Sequence, residues 1–373
     1  MSDPVRPTEQ DKRLLALLHH RDKLLAKGDS IGLPVTPTSA FYLPGEPDGS
    51  YSYTRENNPT WRAVEDQLAL LEDAPVVAFP SGMAAIAAVL YSQLEAGDKI
   101  IIPSDGYFAG RALADTFLKP LGVEILTWPT ADFANAPMEG AKLVWAETPS
   151  NPALDVCDLA RVANRARAAG ALSMADNTTL TPLLQAPLDL GIDIVASSDT
   201  KAMSGHGDVL FGHVASRKPE LLDRVRLWRK LSGAIPGPFE AAQLHRNLET
   251  LDVRLDRMCA TAALVAERLA AHAKVTNVRY PGLADDPSHT IALKQMRGFG
   301  FLIGFDLADA AAADRFLDTC DGLIVATSFG SVHSSAERRA RWGDNVADGF
   351  IRLSIGCEPA EALWAEIDRA LGA

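Results

Sequence analysis

Lys201 stands in the stretch SSDTKAMSGHGDV (Ser197–Val209), between two hydroxyl residues and a glycine-rich turn, directly behind the apolar run DIVASS. A lysine amine so placed can condense with a carbonyl group and become a covalent anchor. The commoner fate of lysine is a solvated surface position. Four further polar clusters follow apolar runs in the same half of the chain: FPSGM, SDGY, ETPSNP and ADNT. Ser81 and Gly82 read equally as an ordinary N-cap or as a phosphate-binding turn, where backbone N–H groups and the helix dipole meet an anion. Asp176 reads as a turn cap or as a functional carboxylate. His206, Asp208 and His213, close together in HGDVLFGH, suggest a metal-dependent hydrolase as a competing class.

Gathering such clusters requires a scaffold that brings strand ends together. The apolar runs PVVAFP, KIIIP, KLVWAE, LSMAD and DIVASS alternate with helical patterns such as WRAVEDQLALLE, SGMAAIAAVLYSQL and DLARVANRARAAG. Short buried strands alternating with helices indicate a mostly parallel α/β sheet, and such sheets bind ligands at the carboxyl ends of their strands. Residues 30–60 are dense in Pro, Gly, Ser and Asn and read as an extended arm. Past Pro238 a long helical region precedes strands at VTNVRY, GFLIGFDL and FIRLSIG, the pattern of a smaller α+β domain. The expected division is an N-terminal arm over 1–60, a large domain over 61–244 and a small C-terminal domain over 245–373.

With 373 residues, 47% of them hydrophobic, the chain is long enough for two domains. A formal charge of −12 argues against nucleic-acid or anionic-membrane partners, which clustered Lys and Arg would serve. The four cysteines lack C-x-x-C spacing, so neither a zinc knuckle nor a disulfide framework is expected, and a reducing cytoplasm fits. The N-terminus, MSDPVRPTEQDKR, lacks the apolar core of a signal peptide, and the longest apolar stretch, around MAAIAAVLYSQL, is too short to span a bilayer. The absence of G-x-G-x-x-G after the first strand argues against a nicotinamide dehydrogenase. A cytoplasmic protein acting on small molecules, without a metal, is the reading that remains.

The combination is more specific than its parts. From about residue 30 to 373 the chain resembles the pyridoxal-phosphate enzymes of cysteine and methionine metabolism, which include cystathionine γ-synthase, cystathionine β- and γ-lyases and methionine γ-lyase. The stretch ADNTTLTPLLQAPLDLGIDIVASSDTKAMSGHGDV looks like the family signature, with lysine inside S-x-T-K and G-H-x-D following. The resemblance implies an aspartate-aminotransferase-like (fold type I) large domain and pyridoxal 5'-phosphate as cofactor. It implies that Lys201 forms the Schiff base and then serves as a mobile base, while Asp176 faces the pyridine nitrogen. Ser81, Gly82 and Met83 would meet the phosphate, aided by the hydroxyls of Ser198 and Thr200. Tyr107 would stack on the ring, and Asn151 would touch the ring hydroxyl and the substrate. Tyr53 and Arg55, in YSYTREN, match a Y-x-R element that reaches the phosphate of a neighbouring subunit. A homo-oligomer follows, a tetramer built from dimers with shared sites. Arg352, in FIRLSIGCE, would grip the substrate α-carboxylate, helped by Ser328.

Several positions depart from the family pattern. Thr327 precedes Ser328 where γ-acting cystathionine enzymes tend to carry glutamate and β-lyases tyrosine. His333 replaces the family glutamate, AERRARWG differs from the usual continuation, and Tyr107-Phe108-Ala109 stands where methionine γ-lyases resemble Y-G-C. The expected activity is C–S cleavage of cystathionine-type sulfur amino acids, as in cystathionine γ-lyase. Cystathionine γ-synthase and β-lyase remain the alternatives.

Overall fold

Ser81 starts a helix because its side chain accepts the Ala84 N–H (3.1 Å), satisfying a donor that the first helical turn leaves open. The small and apolar residues behind it then form a buried helix in front of the first strand. This strand-to-helix unit recurs through the first two thirds of the chain. The structure, a computed structural model, describes residues 8–47, 49 and 51–372.

Seven strands form the large sheet: β1 (Val76–Phe79), β2 (Lys99–Pro103), β3 (Glu124–Trp128), β4 (Leu143–Glu147), β5 (Leu172–Asp176), β6 (Ile194–Ser197) and β7 (Gly212–Ala215). Their order is β1-β7-β6-β5-β4-β2-β3. The strands from β3 to β6 are parallel, as expected, whereas β7 runs antiparallel to both β6 and β1. The five strands of the second sheet, β8 (Thr276–Arg279), β9 (Leu302–Asp306), β10 (Ile324–Val325), β11 (Ser335–Arg338) and β12 (Phe350–Ser354), lie in the order β10-β11-β12-β9-β8.

The helices are α1 (Glu9–Leu18), α2 (Pro59–Glu72), α3 (Gly82–Gln93), α4 (Phe108–Leu113), α5 (Leu159–Ala168), α6 (Thr181–Leu184), α7 (Pro219–Ser232), α8 (Pro238–Leu248), α9 (Leu251–Ala270), α10 (His289–Gln295), α11 (Ala310–Thr319) and α12 (Ala360–Gly372). Residue 245, the boundary read from sequence, falls inside α8. One apolar cluster runs from Trp61 on α2 through Phe211 and Leu255 to Ile351 and Leu371, so the two sheets share core. Between Leu33 and Asn57 the described residues form no helix, only loops and an isolated bridge between Ala40 and Tyr53, while α1 is helical within the segment expected to be an arm.

Two features of this architecture position a site. The strand order reverses between β2 and β4, which opens a crevice beyond their carboxyl ends. The long helical region breaks between α8 and α9, and Arg254 of α9 spans the break. Its guanidinium donates to the carbonyls of Asn247 (2.9 Å), Ala202 (2.7 Å) and Met203 (3.0 Å), tying the helix to the loop that carries Lys201. Gly205, at φ +76°, lies so close that an added Cβ would sit 1.9 Å from this guanidinium.

Candidate active site

The polar clusters that follow β1, β2, β4, β5 and β6 meet at the crevice, where Arg352 of β12 and the segment Thr327–Phe329 close over them. The cavity in front of Lys201 has a volume of about 350 Å³ and is lined by Tyr107, Asn151, Thr327, Ser328 and Arg352, among others. That is room for a small ligand. Adjoining it is a narrower pocket bounded by Gly82, Met83, Glu147, Asp176, Thr178 and Ser198.

Lys201 sits in the turn after β6. Its Nζ donates to Ser328 Oγ (2.8 Å) and lies 4.9 Å from the centre of the Phe329 ring. Burial, together with the charge of Arg352, lowers its pKa from 10.5 to about 8. Roughly one amine in ten is then uncharged at pH 7, against about one in three thousand for an ordinary lysine. Arg352 is buried at the centre of β12. It donates to Asn151 Oδ1 (2.7 Å), to the Thr327 carbonyl (2.7 Å) and to Glu337 Oε2 (3.2 Å), its neighbour in register on β11. Burial depresses its pKa to about 10, which leaves it charged at neutral pH.

Asp176 ends β5 opposite Glu147 at the end of β4. Burial raises the pKa of both carboxyl groups, and Asp176 pushes Glu147 further, to about 8. Two buried acids at adjacent strand ends resist ionising together. Glu147 accepts the backbone N–H groups of Tyr107 (2.7 Å) and Asn151 (3.1 Å). One side chain thereby fixes the loops carrying both residues. Within ETPSNP, Glu147 carries one local signal, a carboxylate at the carboxyl end of an otherwise apolar strand. Glu147, Glu337, Arg339, Phe329 and Trp342 are absent from the site residues expected from sequence. Glu337 is fully buried and receives Arg339 Nη1 (2.7 Å), Arg341 Nη2 (3.3 Å), Arg352 and the Trp342 indole.

Ser81, Gly82, Met83 and Ser198 lie together at the start of α3. The backbones approach so closely that a Cβ on Gly82 would sit 2.5 Å from that of Ser198. Thr200 turns to the backbone instead: its hydroxyl donates to the Phe211 carbonyl (3.2 Å) and accepts the Phe211 N–H (3.0 Å). Tyr53 and Arg55 are exposed and apart from the Lys201 cavity of their own chain; Arg55 donates to the Lys230 carbonyl (3.0 Å). His333 is exposed, 3.5 Å from Ser331 Oγ, and does not line the cavity. The metal-hydrolase alternative loses its ligands. His213 is held between Asp199 and Glu72, His206 bonds the Ser204 carbonyl and Asp208 accepts from Gln243. Among the described residues no group of three His, Cys, Asp or Glu is placed to hold a metal ion. No described helix is long and apolar enough to cross a membrane.

An open α/β sheet with a partly desolvated lysine, a buried aspartate and a helix N-terminus around its switch point is the architecture of fold type I pyridoxal-phosphate enzymes. The model of the Cys/Met metabolism PLP-dependent enzyme family matches residues 16–372, and the chain belongs to that family. It is 51% identical over 339 residues (89% of this chain, 86% of the relative) to a Streptomyces coelicolor protein named "Putative cystathionine gamma-lyase". It is 37% identical over 359 residues (92% and 94%) to a cystathionine beta-lyase of Lactococcus lactis. The crystal structure of cystathionine gamma synthase from Xanthomonas oryzae, in complex with aminoacrylate and cysteine, superposes with a TM-score of 0.93 at 34% identity, covering 99% of this chain and 98% of that one. The relatives therefore span lyases and a synthase, and the cofactor is pyridoxal 5'-phosphate. The residues present suit it: an amine for the aldehyde, a carboxylate for the ring nitrogen, and a glycine-permitted approach between Ser198 and the N-terminus of α3 for the phosphate.

Proposed function

We propose that the protein is a C–S lyase acting on cystathionine-type sulfur amino acids in the manner of cystathionine γ-lyase. The observation that carries the reading is the pairing of Lys201 with Arg352 across one cavity, an amine of lowered pKa facing a guanidinium held by Asn151, Thr327 and Glu337. When bound, pyridoxal phosphate supplies an electron-accepting ring that stabilises negative charge on the substrate carbon skeleton.

The chain's own residues do the rest. Lys201 would hold the cofactor and take the proton from the substrate Cα. Its lowered pKa keeps a useful fraction of the amine uncharged for that step. Asp176 would face the ring nitrogen, and Glu147 beside it holds Tyr107 and Asn151 in place. Tyr107 would cover the ring. Ser81, Gly82, Met83 and Ser198 receive the phosphate, with Thr200 contributing if its hydroxyl shares its bonds to Phe211. Arg352, with Ser328 and Asn151, binds the α-carboxylate, and Thr327 lies beside the distal chain. Tyr53 and Arg55 belong to the site of a neighbouring chain in a tetramer of dimers, consistent with their exposure and distance from their own cavity. The four free thiols fit a cytoplasmic setting.

Product analysis with L-cystathionine tests the reading. Cysteine with 2-oxobutanoate supports γ-cleavage. Homocysteine with pyruvate assigns β-cleavage, and turnover only with an O-acylhomoserine and cysteine assigns γ-replacement.

A further inference from the structure

A set of buried ionisable groups that the reaction does not use lies on the sheet side of the Lys201 turn. His213, on β7, pairs in register with Ala78 of β1 and Ser197 of β6. Its ring is fully buried, with Nδ1 2.8 Å from Asp199 Oδ1 and Nε2 3.1 Å from Oε1 of Glu72, the last residue of α2. A carboxylate accepts hydrogen bonds and an imidazolium donates from both ring nitrogens, so the place between two acids suits the charged ring. Burial opposes that charge, but Asp199 first and Glu72 second more than offset it, raising the His213 pKa to about 10. Among the described residues Asp199 Oδ2 has no hydrogen-bond partner.

Such an arrangement is poorly explained by stability. A buried ion pair is matched or exceeded by apolar side chains of the same volume, whereas a pair that fixes one geometry can serve specificity. The geometry fixed here is that of the Lys201 turn. Asp199 is clamped to His213 of β7 and Thr200 to Phe211, the residue before that strand. Of the flanking residues, Ser198 lines the narrower pocket and Lys201 the adjoining cavity. We propose that His213 is a positioning residue that holds Asp199 and thereby sets the backbone from which Ser198 and Lys201 meet the cofactor. This rests on Lys201 being the cofactor's covalent anchor.

The test compares Asp199→Asn, His213→Gln and Glu72→Gln. All three remove charge from one buried triad, but Glu72→Gln leaves the Asp199–His213 contact in place. Each holoenzyme is assayed for pyridoxal phosphate affinity, by the visible band of lysine-bound cofactor, for the fraction of cofactor that borohydride fixes, and for melting temperature. Positioning predicts that Asp199→Asn and His213→Gln weaken cofactor affinity roughly tenfold or more, the worth of about one charge-assisted hydrogen bond. Glu72→Gln should change it less than about threefold, although it too lowers the melting temperature. Equal shifts in all three that follow the loss of melting temperature would overturn the proposal, as would unchanged affinity in Asp199→Asn. If Asp199→Asn fails to fold, His213→Gln against Glu72→Gln makes the same comparison. Peptide mapping of the borohydride-reduced wild type separates the two levels: a pyridoxyl group on another lysine refutes the anchor itself, whereas one on Lys201 with equal variant effects refutes only the positioning.

Discussion

Replacing Arg352 with lysine keeps the charge and removes the fork. In the structure the guanidinium already spans Asn151 Oδ1, the Thr327 carbonyl and Glu337 while pointing into the Lys201 cavity. A single ammonium cannot hold those partners and also present two parallel donors to a carboxylate. One charge-assisted hydrogen bond to the substrate is then lost, about 1.5–3 kcal/mol, which corresponds to a fall in kcat/KM of roughly 10- to 150-fold. Arg352→Ala loses both bonds and should fall by about 10²- to 10⁴-fold. Because the contact exists before and during the reaction, most of the loss should appear in KM. The assay is steady-state cleavage of L-cystathionine beside its α-carboxamide, which has no charge for Arg352 to meet. With the amide, Arg352→Lys should cost only about 1 kcal/mol, or roughly fivefold. Equal losses on acid and amide, or near-normal KM for the acid in Arg352→Ala, would refute the assignment of Arg352 to the α-carboxylate.

Lys201→Met should abolish turnover. It should also stabilise the apoprotein at pH 7, because the folded-state pKa of about 8 lies below the ordinary 10.5. Holding a proton there opposes folding, so the wild type should gain on the variant as pH rises from about 8 to above 10; thermal melts across that range check it, and a constant difference would contradict the lowered pKa. Mixing Arg55→Ala with Lys201→Met chains should restore part of the activity through hybrid dimers with one intact composite site. No recovery after verified subunit exchange would argue for sites built within one chain. Thr327→Glu should raise the kcat/KM ratio of cystathionine over an uncharged-tail substrate such as methionine, since a carboxylate can hold the distal ammonium by charge; an unchanged ratio would remove Thr327 from the specificity pocket.

Local signals were enough to find the strand-end clusters, because each carries its chemistry within a few residues: Ser81-Gly82 opens a helix, and Lys201 and Asp176 follow or end apolar runs. The alternation of these runs with helical patterns likewise revealed a parallel sheet and the face on which ligands would gather. The strands β3 and β7 escaped notice for physical reasons. The β3 strand is only partly buried and lies at the sheet edge, and β7 is a four-residue segment whose His213 reads as polar until two carboxylates surround it. The helix α1 did have a local signal, the reciprocal Thr8 and Asp11 cap, inside a segment otherwise rich in loop formers. Pairing between distant elements was decided by tertiary structure alone. Glu147 matters because β4 lies beside β5 and sets it against Asp176, and Glu337 because β11 lies beside β12 and sets it against Arg352. HGDVLFGH shows the same limit from the other side: its closely spaced residues suggest one metal site, yet the fold sends His206, Asp208 and His213 to three different partners. Sequence spacing reports which groups are near along the chain, while burial and register determine which of them share a charge.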